Sequence, residues 1–309
     1  MTYIGITPTG KNVKLPNPVQ VRLNRAEGAP ADGFTGVFPM GRTAGNLTGI
    51  HIYDKNQELC FDGIVDEQKE SCGSEMMLTI IARSSAALLL DNEAIPQTYN
   101  MMSLPMIFAR HVLTYGFSSF LGSKKLFPGE LAVTKGMSDW QAAELFCTKY
   151  LNVKPRIQNG VFDASGIRPQ GEIIFDNTNG VRYSSLTAEN KYSSLLSELL
   201  MQQNSNGSYS PIMRDESAVA LGIRRRRCLT AGQNAGTVIR ASQCKAFDVK
   251  ADCPGEIPAQ LLQNASVQDK ILGTIGNLYI SEIDYILNSG GETTRFTLRR
   301  LASCGFQGK

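Results

Sequence analysis

Histidine is scarce. Two residues, His51 and His111, serve 309 positions, and imidazole is both the side chain that titrates near neutral pH and the commonest metal ligand. Any histidine-based triad or His-rich zinc site has only those two to draw on. Charge is thin as well: Asp, Glu, Lys and Arg make up 19% of the chain, where ~25% is usual. The 31 basic residues nearly cancel the 28 acidic ones, leaving a net +3. That balance excludes an acidic solvating tail and a protein built mainly to coat nucleic acid. With 42% hydrophobic residues, the composition describes a folded, nearly neutral protein with uncharged surface to cover. Its length leaves room for two domains.

The seven cysteines (Cys60, Cys72, Cys147, Cys228, Cys244, Cys253, Cys304) form no CxxC pair. A structural zinc site usually takes two ligands from one turn, so this dispersal points to free thiols in a reducing compartment. No metal and no other cofactor is expected. Met1–Lys11 lacks a charged start and an apolar stretch, so no signal peptide is expected either. The longest strongly apolar run, Ala86–Leu90, falls far short of the ~20 residues that span a bilayer, and no membrane anchor is expected. The chain is expected to be made in the cytoplasm. The Asn-x-Ser/Thr triplets at Asn46, Asn206 and Asn264 are then accidental.

What remains to carry chemistry is sparse. Gly5-Ile-Thr-Pro-Thr-Gly10-Lys11 has the spacing of a phosphate-binding loop, but Asn12 stands where a magnesium-binding hydroxyl belongs. There is no GxSxG elbow. His111 falls on an apolar-faced helix, and His51 alternates with Ile50 and Ile52 so as to point away from the core. Glu58, Asp62, Asp66, Glu67 and Glu70 have the chemistry of a glycosidase pair, yet they sit in a hairpin and its turns, where carboxylates are commonly solvated. Arg224-Arg-Arg-Arg227 is the one dense charge run. It suits a channel carrying phosphates, or a strand with two arginines on each face that pair with carboxylates of neighbouring subunits. The small net charge and the lack of interleaved aromatics favour the second.

The first third patterns as short strands separated by turn chemistry. Val19, Val21 and Leu23 alternate; Phe34–Phe38, Leu47–Tyr53, Cys60–Val65 and Met76–Ile81 follow. This spacing suggests a meander closing into a sandwich or barrel. Ser103, Pro105 and Gly116 then bracket a helix, and Ser138-Asp-Trp-Gln141 is a capping box that opens another through about Leu151. Strand-like pieces at 131–134, 154–157 and 171–175 interleave with them. Tyr192–Gln203 suits a helix on its leucines and a hairpin on the Asn204-Ser-Asn-Gly207 turn. Strands return at 237–241, 245–250, 278–287 and 293–300. A weak repeat links the ends. Gly63–Glu67 with Leu78–Arg83, and Leu278–Asp284 with Thr294–Arg300, each join an acidic strand through a turn to one ending in arginine. Two ordinary hairpins would give the same pattern; a true repeat means two related β domains with an α/β block between them.

Several stretches, in order along most of the chain, carry a resemblance: Phe61-Asp-Gly-Ile-Val-Asp-Glu67, Leu78–Ser85, Leu90–Pro96, Lys135–Gln141, Gly160-Val-Phe162, Tyr183-Ser, Tyr192-Ser-Ser, Ala220–Cys228, Leu272-Gly, Tyr279–Tyr285 and Thr293–Leu298. The first fifty residues match least. The sequence resembles baseplate hub proteins of contractile phage tails, of the Mu-like and Gram-positive defective-prophage type, related to the base of type VI secretion spikes. The resemblance implies an α+β fold: two tube-like antiparallel β-barrel domains (1–84 and 183–309) with an inserted α/β region (85–182). It implies strand at Tyr192. It further implies a homotrimer that offers six tube-like domains to the sixfold tail tube and threefold symmetry to the spike. The partners would be the tail tube protein, the central spike protein and other baseplate proteins, around a bore open to DNA or a tape-measure protein. Arg224, Arg225, Arg226 and Arg227 would lie at a subunit interface or the channel. Such a protein has no active site. The competing expectation is a tail-associated enzyme that degrades peptidoglycan.

Overall fold

The computed structural model describes residues 1–158, 160–203, 207–230 and 233–301. Strand accounts for 48% of the chain and helix for 16%, so the class is α+β, as expected. The chain packs as two compact units, 1–168 with 284–293, and 169–283 with the chain from Thr294.

The first unit opens with seven strands: β1 (Thr2–Ile6), β2 (Asn12–Lys14), β3 (Gln20–Ala26), β4 (Gly33–Met40), β5 (Gly49–Tyr53), β6 (Leu59–Cys72) and β7 (Met76–Ser84). They lie in the order β3-β4-β7-β6-β5-β1-β2, every neighbouring pair antiparallel. Period-two alternation sorts the side chains: Val21, Leu23, Phe34, Phe38, Ile50, Ile52, Leu78 and Ile80 are all buried. Val19 precedes β3 and is 50% exposed, so it leaves the face it was expected to share. Two glycines make room for rings. A Cβ at Gly36 would sit 2.6 Å from the Phe34 ring and 2.7 Å from that of Phe38, and one at Gly63 would sit 2.3 Å from Phe61. Aromatic rings thus cover bare backbone at the centre of the sheet.

The α/β block follows as α1 (Ala87–Asp91), β8 (Gln97–Ser103), α2 (Leu104–His111), β9 (Ser119–Leu121), β10 (Leu126–Val133), α3 (Asp139–Phe146), β11 (Arg156–Gln158) and β12 (Val161–Asp163). Pro105 lies in the first turn of α2. A 3₁₀ turn at Leu113–Tyr115 then carries the chain to Gly116, whose φ of 90° ends it in the left-handed region. The capping box of α3 is complete: Gln141 N donates to Ser138 Oγ at 3.2 Å, and Ser138 N donates to Gln141 Oε1 at 2.9 Å. Past Phe146 the helix widens into a π-turn through Leu151. Leu104, Ile107, Phe108, Trp140, Phe146 and Phe162 build a separate core here.

The second unit holds β13 (Glu172–Phe175), β14 (Ser185–Asn190), β15 (Glu198–Gln202), β16 (Tyr209–Arg214), α4 (Glu216–Ala220), β17 (Arg226–Leu229), α5 (Ala235–Lys245), β18 (Phe247–Pro254), β19 (Asn264–Asp269), most of β20 (Gly273–Asn288) and of β21 (Gly291–Arg300). Its main sheet runs β14-β18-β21-β20-β19-β13, over a core that includes Phe175, Val249, Val267, Ile280, Phe296 and Leu298. Replace each strand by its counterpart in chain order (β13 for β1, β14 for β3, β18 to β21 for β4 to β7) and this becomes the order β3-β4-β7-β6-β5-β1 of the first unit. The senses differ at the far edge, since β13 is parallel to β19 while β1 is antiparallel to β5. Among the described residues no sheet closes on itself.

Two expectations change in this unit. Residues 237–241, expected as strand, belong to the helix α5. The β-branched trio Thr237-Val238-Ile239 favours strand locally, but Asn234 Oδ1 caps the Thr237 amide at 3.1 Å. Ile239 and Ser242, one helical turn apart, then bury the same face. Tyr192–Gln203 is strand where the resemblance placed it, but only from Glu198; Tyr192–Ser194 is a 3₁₀ turn. Of the expected Asn204–Gly207 turn, 204–206 lie outside the described residues, as do Asn206 and Cys304.

Candidate functional site

The arginine run sits on the rim of the small sheet β16-β15-β17. β17 runs parallel to β15, with Arg226 beside Glu198 and Arg227 beside Leu199, and among the described residues no strand pairs with its other edge. Leu229 fixes the facing: it is buried with Leu196, Leu199 and Ile239, so alternation puts Arg227 on its side and Arg226 with Cys228 on the other. Arg225 is structural. Its carbonyl accepts from Ser197 N at 2.8 Å and Ser197 Oγ at 2.9 Å, and its Nη1 donates to the Tyr192 carbonyl at 2.9 Å. Arg224, Arg226 and Arg227 are exposed, and among the described residues none of the three has an ion-pair partner.

The buried polar knot of the first unit was not legible in the sequence. His111 is 1% exposed. Its Nδ1 lies 2.6 Å from Asp139 Oδ1, its Nε2 lies 2.9 Å from the Tyr99 hydroxyl, and the Tyr115 hydroxyl donates to Asp139 Oδ2 at 2.5 Å. Tyr99, His111 and Asp139 are in line like a hydroxyl–imidazole–carboxylate relay. The chemistry does not follow from the line-up. Burial raises the Tyr99 hydroxyl above the usual phenol range, opposed by Arg110 and reinforced by the Asp139 charge. The four side chains come from β8, α2, the turn after it and α3, so the knot fastens those elements together.

The remaining candidates separate. Arg83 clamps both Asp66 and Asp91, with contacts of 2.7–3.0 Å. Asp62 pairs with half-exposed His51 at 3.2 Å, and Glu70 Oε1 accepts from Ala44 N at 3.0 Å. Glu58 and Glu67 are exposed. None of these carboxylates is buried, as a raised general acid would need. The phosphate-loop spacing falls on the β1–β2 hairpin, where Gly10 N donates to the Thr7 carbonyl at 2.8 Å, so Gly5 lies inside a strand. An open groove of about 680 Å³, lined by Lys14, Leu15, Pro16, Pro39, Met40, Gly41 and Arg42, brings no carboxylate, histidine or thiol together. Cys147 and Cys253 are buried, which pushes each thiol up to about 12; Cys72 and Cys228 are exposed. Among the described residues no three His, Cys, Asp or Glu side chains are grouped to hold a metal, and no helix is long and apolar enough to cross a membrane.

No family model matches the chain, and no curated protein matches it. Solved structures do. A tail protein from Neisseria meningitidis superposes with a TM-score of 0.77 at 14% identity, over 97% of each chain. The 43 kDa tail protein of prophage MuSo2 from Shewanella oneidensis gives 0.75 at 13% identity, over 97% of this chain and 98% of its own. Prophage tail protein gp18 from Listeria monocytogenes gives 0.63 at 12% identity, over 98% and 96%. Likeness this complete at identity this low is a likeness of fold: the chain has the fold of these phage tail proteins.

Proposed function

We propose that the protein is a structural hub of a contractile phage tail or phage-tail-like particle, a trimeric adaptor that joins a sixfold tail tube to a threefold spike. The observation that carries this reading is the strand order repeated in the two units. A chain that holds one β plan twice presents six such plans as a trimer, which is what a threefold-to-sixfold junction requires. The fold shared with three tail proteins supports it, and so does a sequence with few charges for its size.

In this reading 1–84 and 183–309 form tube-like β-barrel domains, each completed against neighbouring copies, and 85–182 decorates the outside. β13 is the one strand of the second sheet that falls outside 183–309. The partners are the tail tube protein, the spike protein and other baseplate proteins, and the bore admits DNA or a tape-measure protein. The protein is made in a bacterial cytoplasm and ends in the tail baseplate, with no catalytic role. Arg224–Arg227 belong to a subunit interface. Sedimentation equilibrium tests the trimer. Three chains of 33.7 kDa predict a mass of about 101 kDa, and a strict monomer at high concentration refutes the reading.

A further inference from the structure

The two edges of the small sheet β16-β15-β17 are finished differently. On β16 the pairing with β15 slips between Leu199 and Leu200, and Pro211, which has no N–H to offer, lies in the strand. Bulges and prolines blunt an edge against further pairing. β17 has neither, and its register with β15 is unbroken from Arg226 to Leu229. The Arg225 carbonyl points at β15, where it accepts from Ser197 N, so alternation turns the N–H and C=O groups of Arg227 and Leu229 the same way. Those of Arg226 and Cys228 face the outer edge, and among the described residues no hydrogen bond occupies them. Arg226 and Arg227 flank this edge from opposite faces of the sheet. Residues 218–230 carry four arginines and no acid. Glu198 stands beside Arg226 on the β15 side, away from the outer edge.

We infer that the outer edge of β17 binds an extended acidic segment of a different protein as an added strand. Arg226 and Cys228 each offer that segment one N–H donor and one C=O acceptor, which is how a sheet edge captures a peptide backbone. Neighbouring residues of a strand point to opposite faces. Two consecutive carboxylates therefore meet Arg226 on one face and Arg227 on the other, whichever way the segment runs. Guanidinium suits them, since its fork pairs with carboxylates bidentately. The chain itself is a poor source of such a segment. Its consecutive acidic pairs, Asp66-Glu67 and Asp215-Glu216, are already held within β6 and at the start of α4, and residues 302–309 carry no acid. A nucleic acid would use the arginines but leave the backbone groups of the edge unmatched. No aromatic residue lies between Leu221 and Thr230 to stack on its bases either. On the hub reading, the subunit that meets the arginine run is then a different baseplate protein.

The probe is the peptide Thr-Val-Thr-Glu-Glu-Thr-Val-Thr, labelled with fluorescein and titrated with the full chain. Its sequence reads alike in both directions, so either strand sense is served. Fluorescence anisotropy should show binding that weakens roughly tenfold or more when Glu-Glu becomes Gln-Gln, and likewise when the protein carries Arg226→Gln with Arg227→Gln. The peptide arm uses only the wild-type chain, so it stands even where a variant folds poorly. Every second N–H of an added strand faces β17. N-methylation of one glutamate should therefore abolish binding, and N-methylation of the other should leave it within about threefold. Glu and Gln peptides that bind alike, an arginine variant that binds like the wild type, or two N-methyl peptides that behave alike overturn the docking. So does a dissociation constant above about 1 mM. Duplex DNA retained by the arginines would then favour nucleic acid, and aggregation of the neutral variant would mark them as guards of the edge. A trimer that ignores the peptide leaves the hub reading standing, and a monomer that binds it leaves the docking standing.

Discussion

Asp139→Ala should unfasten the α/β block. Asp139 is 7% exposed and accepts from His111 Nδ1 and Tyr115 Oη at 2.6 and 2.5 Å. Truncation strands two donors unequally. Tyr115 is partly exposed and can turn to water, whereas His111 at 1% exposure cannot. An unsatisfied buried donor costs ~1–3 kcal/mol, and the carboxylate in the first turn of α3 adds ~0.3–1 kcal/mol through the helix dipole. The sum is about 1–4 kcal/mol, which for a unit of this size lowers Tm by roughly 3–16 °C. Asp139→Asn keeps an acceptor for His111, and the Tyr115 hydroxyl can reverse to accept, so only charge is lost and about 1–2 kcal/mol is expected. Calorimetry of the full chain should therefore rank wild type above Asp139→Asn above Asp139→Ala. An alanine variant within about 1 °C of the wild type refutes the knot as a fastening. Cell-wall degradation by the isolated chain, abolished by this substitution, would overturn its non-catalytic reading.

Two further outcomes follow from the first unit. Gly63→Ala puts a carbon 2.3 Å from the Phe61 ring and 2.8 Å from the Arg83 carbonyl, and since the backbone oxygen cannot yield, a loss of about 2–3 kcal/mol is expected in the urea midpoint. Gly28→Ala, where nothing lies within 4 Å, should be nearly neutral, and equal effects at the two sites would contradict the packing argument. Asp32, in the turn between β3 and β4, has its carboxyl pushed up to about 6 by burial, against the opposing pull of Arg25. The folded state then holds this proton more tightly than the unfolded one, so stability is greatest below ~3.9 and falls as pH rises toward 6. The loss at pH 7 is at most ~3 kcal/mol, and less in practice because the side chain is 30% exposed. Asp32→Asn should match the wild type in Tm near pH 3.5 and exceed it increasingly up to pH 7; a gap independent of pH would refute the shift.

Local chemistry was legible wherever one segment carried its own signal. The capping box at Ser138, the Pro105 start and Gly116 stop, and the alternation through Phe34, Ile50 and Ile80 all lie within a few residues of what they specify. β14 and β19 escaped notice because both are mostly polar: SLTAEN buries no residue fully, and NASVQD buries only Ala265 and Val267. The Thr237-Val238-Ile239 trio misled because tertiary burial of Ile239, with the Asn234 cap, outweighs β propensity. The His111 knot joins residues 12 and 28 positions apart through folding alone, and no spacing rule announces it. The arginine run was visible, but that it lies on a strand edge unpaired among the described residues, with Arg225 spent on backbone, was not. The weak sequence repeat marked two hairpins; the sheets around them carry the rest of the likeness, in strand order and not in residue identity.

The central claim, that one chain twice carrying the same sheet plan forms a threefold hub, is tested most directly by imaging the purified protein in ice. Class averages of the wild-type oligomer should show a ring of three copies with a central hole, and six similar β domains around it when viewed along the axis. Particles without a hole, or rings whose symmetry is not threefold, would contradict the account.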